Sequence, residues 1–323
     1  MTNKIIKRYI YYYLTSFVIC TPLLSSIYRY FSYKKNLKIL FALKQQYVVD
    51  NTIDMHPKLD EYLHLYAKFI IMNDYHSIIK LRKLHKPLLR ISDGEIFAFL
   101  GGKAISCVQN NSDALSIALA NVYTNKNIVL GLLKPSLSYI NLIRYINEAL
   151  LVSEPKFKEL LDIIAKNKNI YYSAFVNRPN KIYGFLLWKK IWQNKNVCII
   201  TGKDGNNGNF DVSPLFNNVK SLSSIEIPPT NVFLEYESIL KKALTFPKDT
   251  IFLLGMGSTA KIMLVDLYNN GYKGFDIGQI VSQCNFAIGI NKEQPEYILR
   301  RISDKKAFFQ EERNRLLASN IKL

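Results

Sequence analysis

Thr250-Ile251-Phe252-Leu253-Leu254-Gly255-Met256-Gly257-Ser258-Thr259-Ala260 passes from an apolar run of strand length, through two glycines, into a stretch of helical period. That stretch ends near Asn269, and a second apolar run, Gly274-Phe275-Asp276-Ile277, follows it. Strand, glycine turn, helix and strand make one βαβ unit. The glycines permit a tight turn, and the first N–H groups of the helix beyond it can receive an anion, which makes Gly255, Gly257, Ser258 and Thr259 candidate phosphate-binding positions. Gly-x-Gly-x-x-Ala with an acid about 20 residues further on also meets the dinucleotide fingerprint. Three readings therefore stand side by side: an anion-binding turn, an NAD-dependent oxidoreductase, and glycines that serve only the turn.

The same alternation extends upstream. Apolar runs at Pro87–Ile91, Ile128–Leu133, Ile170–Phe175, Val197–Thr201 and Ile225–Ile227 are separated by stretches of helical period at Asp113–Val122, Ser136–Leu150, Pro155–Lys166, Ile182–Gln193 and Asn231–Leu244. This order predicts an α/β fold, a mostly parallel sheet with helices on both faces, with its ligand at the carboxyl ends of the strands. Residues 46–85 read as a helical lead-in, because Leu59, Tyr62, Leu63, Tyr66, Phe69 and Ile70 fall at three- and four-residue spacings. Residues 291–323 read as a charged C-terminal helix.

With 323 residues, 49% hydrophobic and 21% charged, the chain can bury a substantial core, which excludes a disordered protein or a disulfide-stapled miniprotein. A net charge of +18 points to an anionic partner: nucleic acid, an acidic membrane face or a phosphorylated substrate. Nucleic acid is disfavoured because the aromatic residues follow helix and strand periods rather than lining a basic groove. All four histidines, His56, His64, His76 and His85, precede residue 90, so a Ser-His hydrolase or His-ligated zinc site would have to draw on that early segment. Cys20, Cys107, Cys198 and Cys284 have no paired spacing and read as buried thiols of a reducing compartment.

Basic charge concentrates at the amino end. Residues 1–50 hold eight Lys and Arg against one acid, Asp50, and no charge interrupts Tyr9 to Tyr28. The run is Tyr-rich and carries Thr15, Ser16, Thr21, Pro22, Ser25 and Ser26, a composition suited to the headgroup level of a membrane. Residues 1–45 thus read either as a membrane-associating segment at the cytoplasmic leaflet or as a helix packed on the body. A non-enzymatic basic membrane-binding protein is a further reading of the whole chain.

Arg90-Ile91-Ser92-Asp93-Gly94-Glu95 directly follows a strand. Gly94 lets the backbone turn, so Asp93 and Glu95 can point at one spot, and one or two carboxylates with phosphate oxygens are how Mg²⁺, or the similar Mn²⁺, is usually held. Arg90 could clamp the same phosphates. The alternative is a solvated turn before a helix, its acids near the helix amino end. Arg178 and Lys203 also follow strand ends, where phosphate or sugar would sit. Trp188 and Trp192, four apart, read as a core stripe on one helix.

Arg90-x-x-Asp93-Gly94-Glu95 resembles the Arg-Phe-Gly-Asp-Gly-Glu signature of the GT-D-type bacterial glycosyltransferases. Further blocks are similar in the same order: Asn177-Arg178-Pro179, Leu187-Trp188-Lys189-Lys190-Ile191-Trp192, Leu215-Phe216-Asn217-Asn218, Gly255 to Lys261, and Gly271-Tyr272 through Asp276-Ile277-Gly278. The resemblance implies a Rossmann-like domain over residues 86–290 and a UDP-linked sugar donor contacted by Arg90, Asp93, Glu95, Arg178, Lys203, Gly255, Gly257, Ser258 and Thr259. It also implies a divalent cation, Mn²⁺ or Mg²⁺, held by Asp93 and Glu95. Ser92 stands where the family has glycine, Gln279 where it has histidine, and the loop Lys203 to Pro214 differs and is longer. The expected activity is transfer of a hexose, glucose or galactose, to a hydroxyl of a growing bacterial surface glycan or glycoprotein glycan, with the acceptor carried on a membrane lipid and the enzyme peripheral at the inner face of the cell membrane. With no histidine after residue 85, the general base should be a carboxylate. Asp276 is the first candidate, followed by Asp204 and Asp211. Asp276 is alternatively a loop anchor that accepts backbone hydrogen bonds.

Overall fold

The computed structural model describes residues 22–50, 55–101, 112–137, 139, 141–166, 170–177, 182–202, 207–208, 210–211 and 213–287. Arg178, Lys203, Asp204, Cys20, Cys107, most of the uncharged run and the expected C-terminal helix lie outside them.

Among the described residues the chain forms helices α1 (Pro22–Asp50), α2 (Leu59–Ala67) and α3 (Asp74–Leu81) before strand β1 (Leu88–Arg90). Then follow α4 (Asp93–Leu100), α5 (Asp113–Tyr123), β2 (Val129–Leu132), α6 (Asn141–Lys166) and β3 (Tyr172–Ser173). The second half comprises α7 (Ile182–Trp192), β4 (Asn196–Gly202), β5 (Ser221–Ile227), α8 (Tyr236–Ala243), β6 (Ile251–Gly255), α9 (Thr259–Asn269), β7 (Lys273–Asp276) and α10 (Ile280–Ala287). Every strand pair is parallel, in agreement with the alternation of runs and helical periods. One sheet was expected, whereas the hydrogen-bonded strands form two, ordered β1-β2-β3 and β5-β4-β6-β7.

Both faces of the second sheet are covered. Val197 and Ile199 of β4, with Ile251 and Leu253 of β6, pack with Trp188 and Trp192 of α7, while Cys198, Ile200, Phe252 and Leu254 pack with Ala243 of α8 and Met263 of α9. A strand apolar at consecutive positions is what burial on both faces requires. The two tryptophans stack with centroids 5.6 Å apart and are buried, as the stripe reading expected.

Several boundaries differ from the sequence expectation for local reasons. The lead-in is two short helices, and Phe69 and Ile70, though buried, lie in the non-helical link between them. By contrast, the two helices expected over Ser136–Leu150 and Pro155–Lys166 agree with α6, which is two helical pieces meeting at a kink where Ser153 leaves helical dihedrals two residues ahead of Pro155, which lacks the N–H to continue the ladder. β3 stops after two residues because Ala174–Asn177 winds into a 3-10 turn.

Candidate active site

At the end of β1 the chain turns through Ser92 into α4. The Ser92 N–H donates to Glu95 Oε2 at 3.0 Å, and the Ser92 hydroxyl donates to the same oxygen. This capping arrangement fixes the first turn of α4 and draws Glu95 inward. Asp93, the first residue of α4, stays partly exposed, whereas Glu95 is buried. Ser and Glu three apart ahead of an apolar run is a helix start that the reading of Asp93 and Glu95 as a ligand pair passed over.

Glu95 Oε1 meets the ammonium of Lys261, on the first turn of α9, at 2.6 Å. The same ammonium lies 2.6 Å from Asp276 Oδ2 at the end of β7, and Arg90 at the end of β1 donates to Asp276 Oδ1 at 2.8 Å. Arg90 also donates to the carbonyl of Ala174 and to Asn177 Oδ1, each at 3.0 Å, and its Nε is buried with no hydrogen-bond partner. Two cations and two carboxylates thus form one buried chain, Arg90–Asp276–Lys261–Glu95. Burial alone would raise the Asp276 pKa, yet Arg90 and then Lys261 outweigh it and hold the carboxyl down at about 2. Glu95 is lowered in the same way, its burial overcome by Lys261 and then Arg90.

This geometry corrects the general-base expectation for Asp276. A buried carboxylate with each oxygen on a cation is a weak proton acceptor. It acts instead as the loop anchor: the Gly278 N–H donates to its Oδ1 at 3.0 Å. Gly278 has φ +50°, and a β-carbon there would lie 2.2 Å from Asn177 Nδ2, so only glycine fits against the cluster. Arg90, expected to clamp phosphate, has its guanidinium engaged within the fold.

The glycine turn faces the same place. Gly255 ends β6, Gly257 turns at φ +57°, and Ser258 donates to the carbonyl of Gly94 at 3.4 Å, which joins the turn to α4. Ser258 and Thr259 are buried. In the loop after β4, Asp211 is exposed, while Asn207 is buried, donating to the Gly278 carbonyl at 2.6 Å and accepting from the Val281 N–H at 3.2 Å. On α6, Glu148 is raised by its burial and by the nearby charge of Asp93, although Arg144, 3.6 Å away, opposes this. Lys261, Asn177, Asn207 and Glu148 had no assigned role in the sequence reading. Lys261 had a visible signal, since it is the one cation in the otherwise apolar stretch Ala260 to Val265.

A divalent cation fits this arrangement at Asp93 but not as a chelate of both acids. Both Glu95 oxygens are occupied by protein donors, and among the described residues no three His, Cys, Asp or Glu side chains converge on one point. One carboxylate with substrate phosphate oxygens is nonetheless an ordinary Mg²⁺ environment.

Residues 88–293 match the family described as the glycosyltransferase GT-D fold. Over 121 residues, 35% of this chain, it is 30% identical to the Streptococcus gordonii protein named "Probable glycosyl transferase Gly". Over 209 residues, 62% of the chain, it is 23% identical to glycosyltransferase GlyD of Streptococcus pneumoniae serotype 4. The matched stretches span 17% and 25% of those relatives' own lengths. Among solved structures, a glycosyltransferase of the domain of unknown function 1792 from Streptococcus sanguinis superposes with a TM-score of 0.56 at 23% identity, covering 68% of this chain and 85% of that one.

Proposed function

Because this chain belongs to the GT-D-fold glycosyltransferases, we propose that it moves a hexose from a UDP-linked donor to a hydroxyl of a growing bacterial surface glycan. The observation that carries the proposal is the buried Arg90–Asp276–Lys261–Glu95 chain, which joins the carboxyl ends of β1 and β7 next to the partly exposed Asp93. Parallel α/β sheets bind ligands beyond the carboxyl ends of their strands. The NAD-dependent alternative loses its acid, because Asp276 is held by two cations rather than left for a ribose hydroxyl.

In this reading Asp93 holds Mn²⁺ or Mg²⁺ together with donor phosphate oxygens. The ion, when bound, supplies positive charge against the diphosphate as it leaves. Glu95 positions Asp93 by fixing the first turn of α4. With Asp276 unsuited, Glu148 is the carboxylate favoured as acceptor of the acceptor hydroxyl's proton, being partly exposed, near Asp93 and raised in pKa. The acceptor is a lipid-linked glycan at the cytoplasmic face of the membrane.

Calorimetry tests the donor assignment. UDP-sugars should bind in Mn²⁺ or Mg²⁺ and not in chelator, and Asp93→Asn should abolish the binding. Metal-independent binding of NAD, with none of UDP-sugar, would reject it. Donor hydrolysis across a panel of nucleotide sugars then identifies the hexose.

A further inference from the structure

The two halves of α1 have different surroundings. From Asn36 onward, Asn36, Leu40, Leu43 and Tyr47 are buried at three- and four-residue spacings. Asn36 Nδ2 donates to the carbonyls of Ala67 and Phe69, and Lys44 pairs with Asp60 at 2.5 Å. This half is packed on α2. The opposite side of the helix, mostly in the preceding half, presents Ile27, Tyr30 and Phe31, which are 45%, 57% and 65% exposed, with Lys34, Lys35 and Lys38 exposed beside them. Tyr30 and Phe31 lie edge to face at 5.8 Å, and Lys34 Nζ sits 5.6 Å from the Tyr30 ring centre. No acid occurs between Pro22 and Val49.

The neighbours of α1 place it relative to Asp93. Lys134, two residues beyond β2, is lowered in pKa first by its burial and then by the charge of Lys35. Tyr66 of α2 donates to the carbonyl of Leu133 at 2.7 Å, so α1 and α2 cross the carboxyl end of the first sheet, the end that carries Arg90 and Asp93.

We propose that the exposed face of α1 is a membrane-docking face for anionic phospholipid, seating Ile27, Tyr30 and Phe31 at the headgroup boundary beside Lys34, Lys35 and Lys38. It holds the Asp93 end of the first sheet toward the bilayer. Aromatic and aliphatic groups flanked by cations on one helix are the composition of an interfacial helix. A second copy of the chain is a poor occupant, because the face carries three cations and no acid and would repel itself. No described helix is long and apolar enough to cross a membrane. The docking face stands independently of the transferase reading. Only its consequence, access to a lipid-linked acceptor, rests on it.

The test is co-sedimentation of the full chain with vesicles of phosphatidylcholine, alone or mixed with phosphatidylglycerol, in parallel with hydrolysis of UDP-sugar in vesicle-free solution. The wild type should bind the mixed vesicles, and binding should weaken as salt is raised. Each basic residue near an anionic surface strengthens binding roughly fivefold, so Lys34→Glu with Lys35→Glu should weaken it more than tenfold. Tyr30→Ser with Phe31→Ser should weaken it several-fold, and all four substitutions should leave the thermal midpoint and solution hydrolysis unchanged. Vesicle binding unaltered in both double variants, or concentration-dependent dimerisation lost in them, would overturn the docking face. Docking without hydrolysis would leave this face standing and reject the transferase reading instead.

Discussion

At the ends of β1 and β7, Arg90, Lys261, Glu95 and Asp276 are buried against one another, whereas along α1 Arg29, Lys34, Lys35 and Lys38 stand in solvent. Both regions are rich in cations, but burial changes what each charge does. In the cluster, removing one partner strands another charge away from water, so every member is needed for the fold. On the helix each cation remains hydrated whatever its neighbours are, so the fold tolerates its loss and its effect appears only toward an outside surface. A basic composition therefore says little until burial is known.

The sharpest way to break this contrast is Lys261→Met, which leaves Glu95 and Asp276 facing each other. It should cost about 3–5 kcal/mol in urea unfolding. A loss under about 1 kcal/mol would mean that the cluster is not the internal lock described. Within α1 alone, Leu40→Ala should cost about 2–5 kcal/mol, while Ile27→Ala should fall within about 0.5 kcal/mol of wild type. Equal losses would erase the division of the helix into packed and exposed halves.

Acid sharpens the comparison further. Asp276 titrates at about 2 in the fold, below the ordinary carboxylate value near 3.9, so its stabilisation is complete above that unfolded value and is lost as pH falls toward 2. Glu95 acts in the same direction. The loss attributable to Asp276 should approach about 2–3 kcal/mol and shrink in Lys261→Met, as followed by unfolding at stepped pH. A small effect on stability, about 0.3–1 kcal/mol, is expected for Asp93→Asn, which removes a charge from the amino end of α4. That variant should nonetheless lose donor binding. A change that barely moves stability but abolishes binding, two residues from Glu95, whose loss would strand Lys261 and destabilise the fold, would separate the two acids.

Much of the second half was legible from sequence because its strands contain short apolar runs closed by glycine or proline. The expected helix Thr259 to Asn269 agrees with α9 end to end. The helix at Asp93–Leu100 was harder to read, since after Glu95 it runs Ile-Phe-Ala-Phe-Leu with no polar face to reveal a period. Burial on all sides erases amphipathicity. At the site, the carboxylates could be found by type and position, and the resemblance added their setting. Their tasks could not be found in that way. Spacing along the chain placed Asp93 and Glu95 together, while the partner that separates them, Lys261, is 166 residues from Glu95 and meets it only across the fold.

The junction between the two sheets has one further implication. Arg90 bonds Asp276, Asn177 bonds the carbonyl of Ile277, and Asn207 bonds that of Gly278, so the join is riveted from β1, from the turn after β3 and from the loop after β4. The halves should accordingly melt as one cooperative unit, and the amides of β2 and β6 should exchange with solvent at matching free energies of opening.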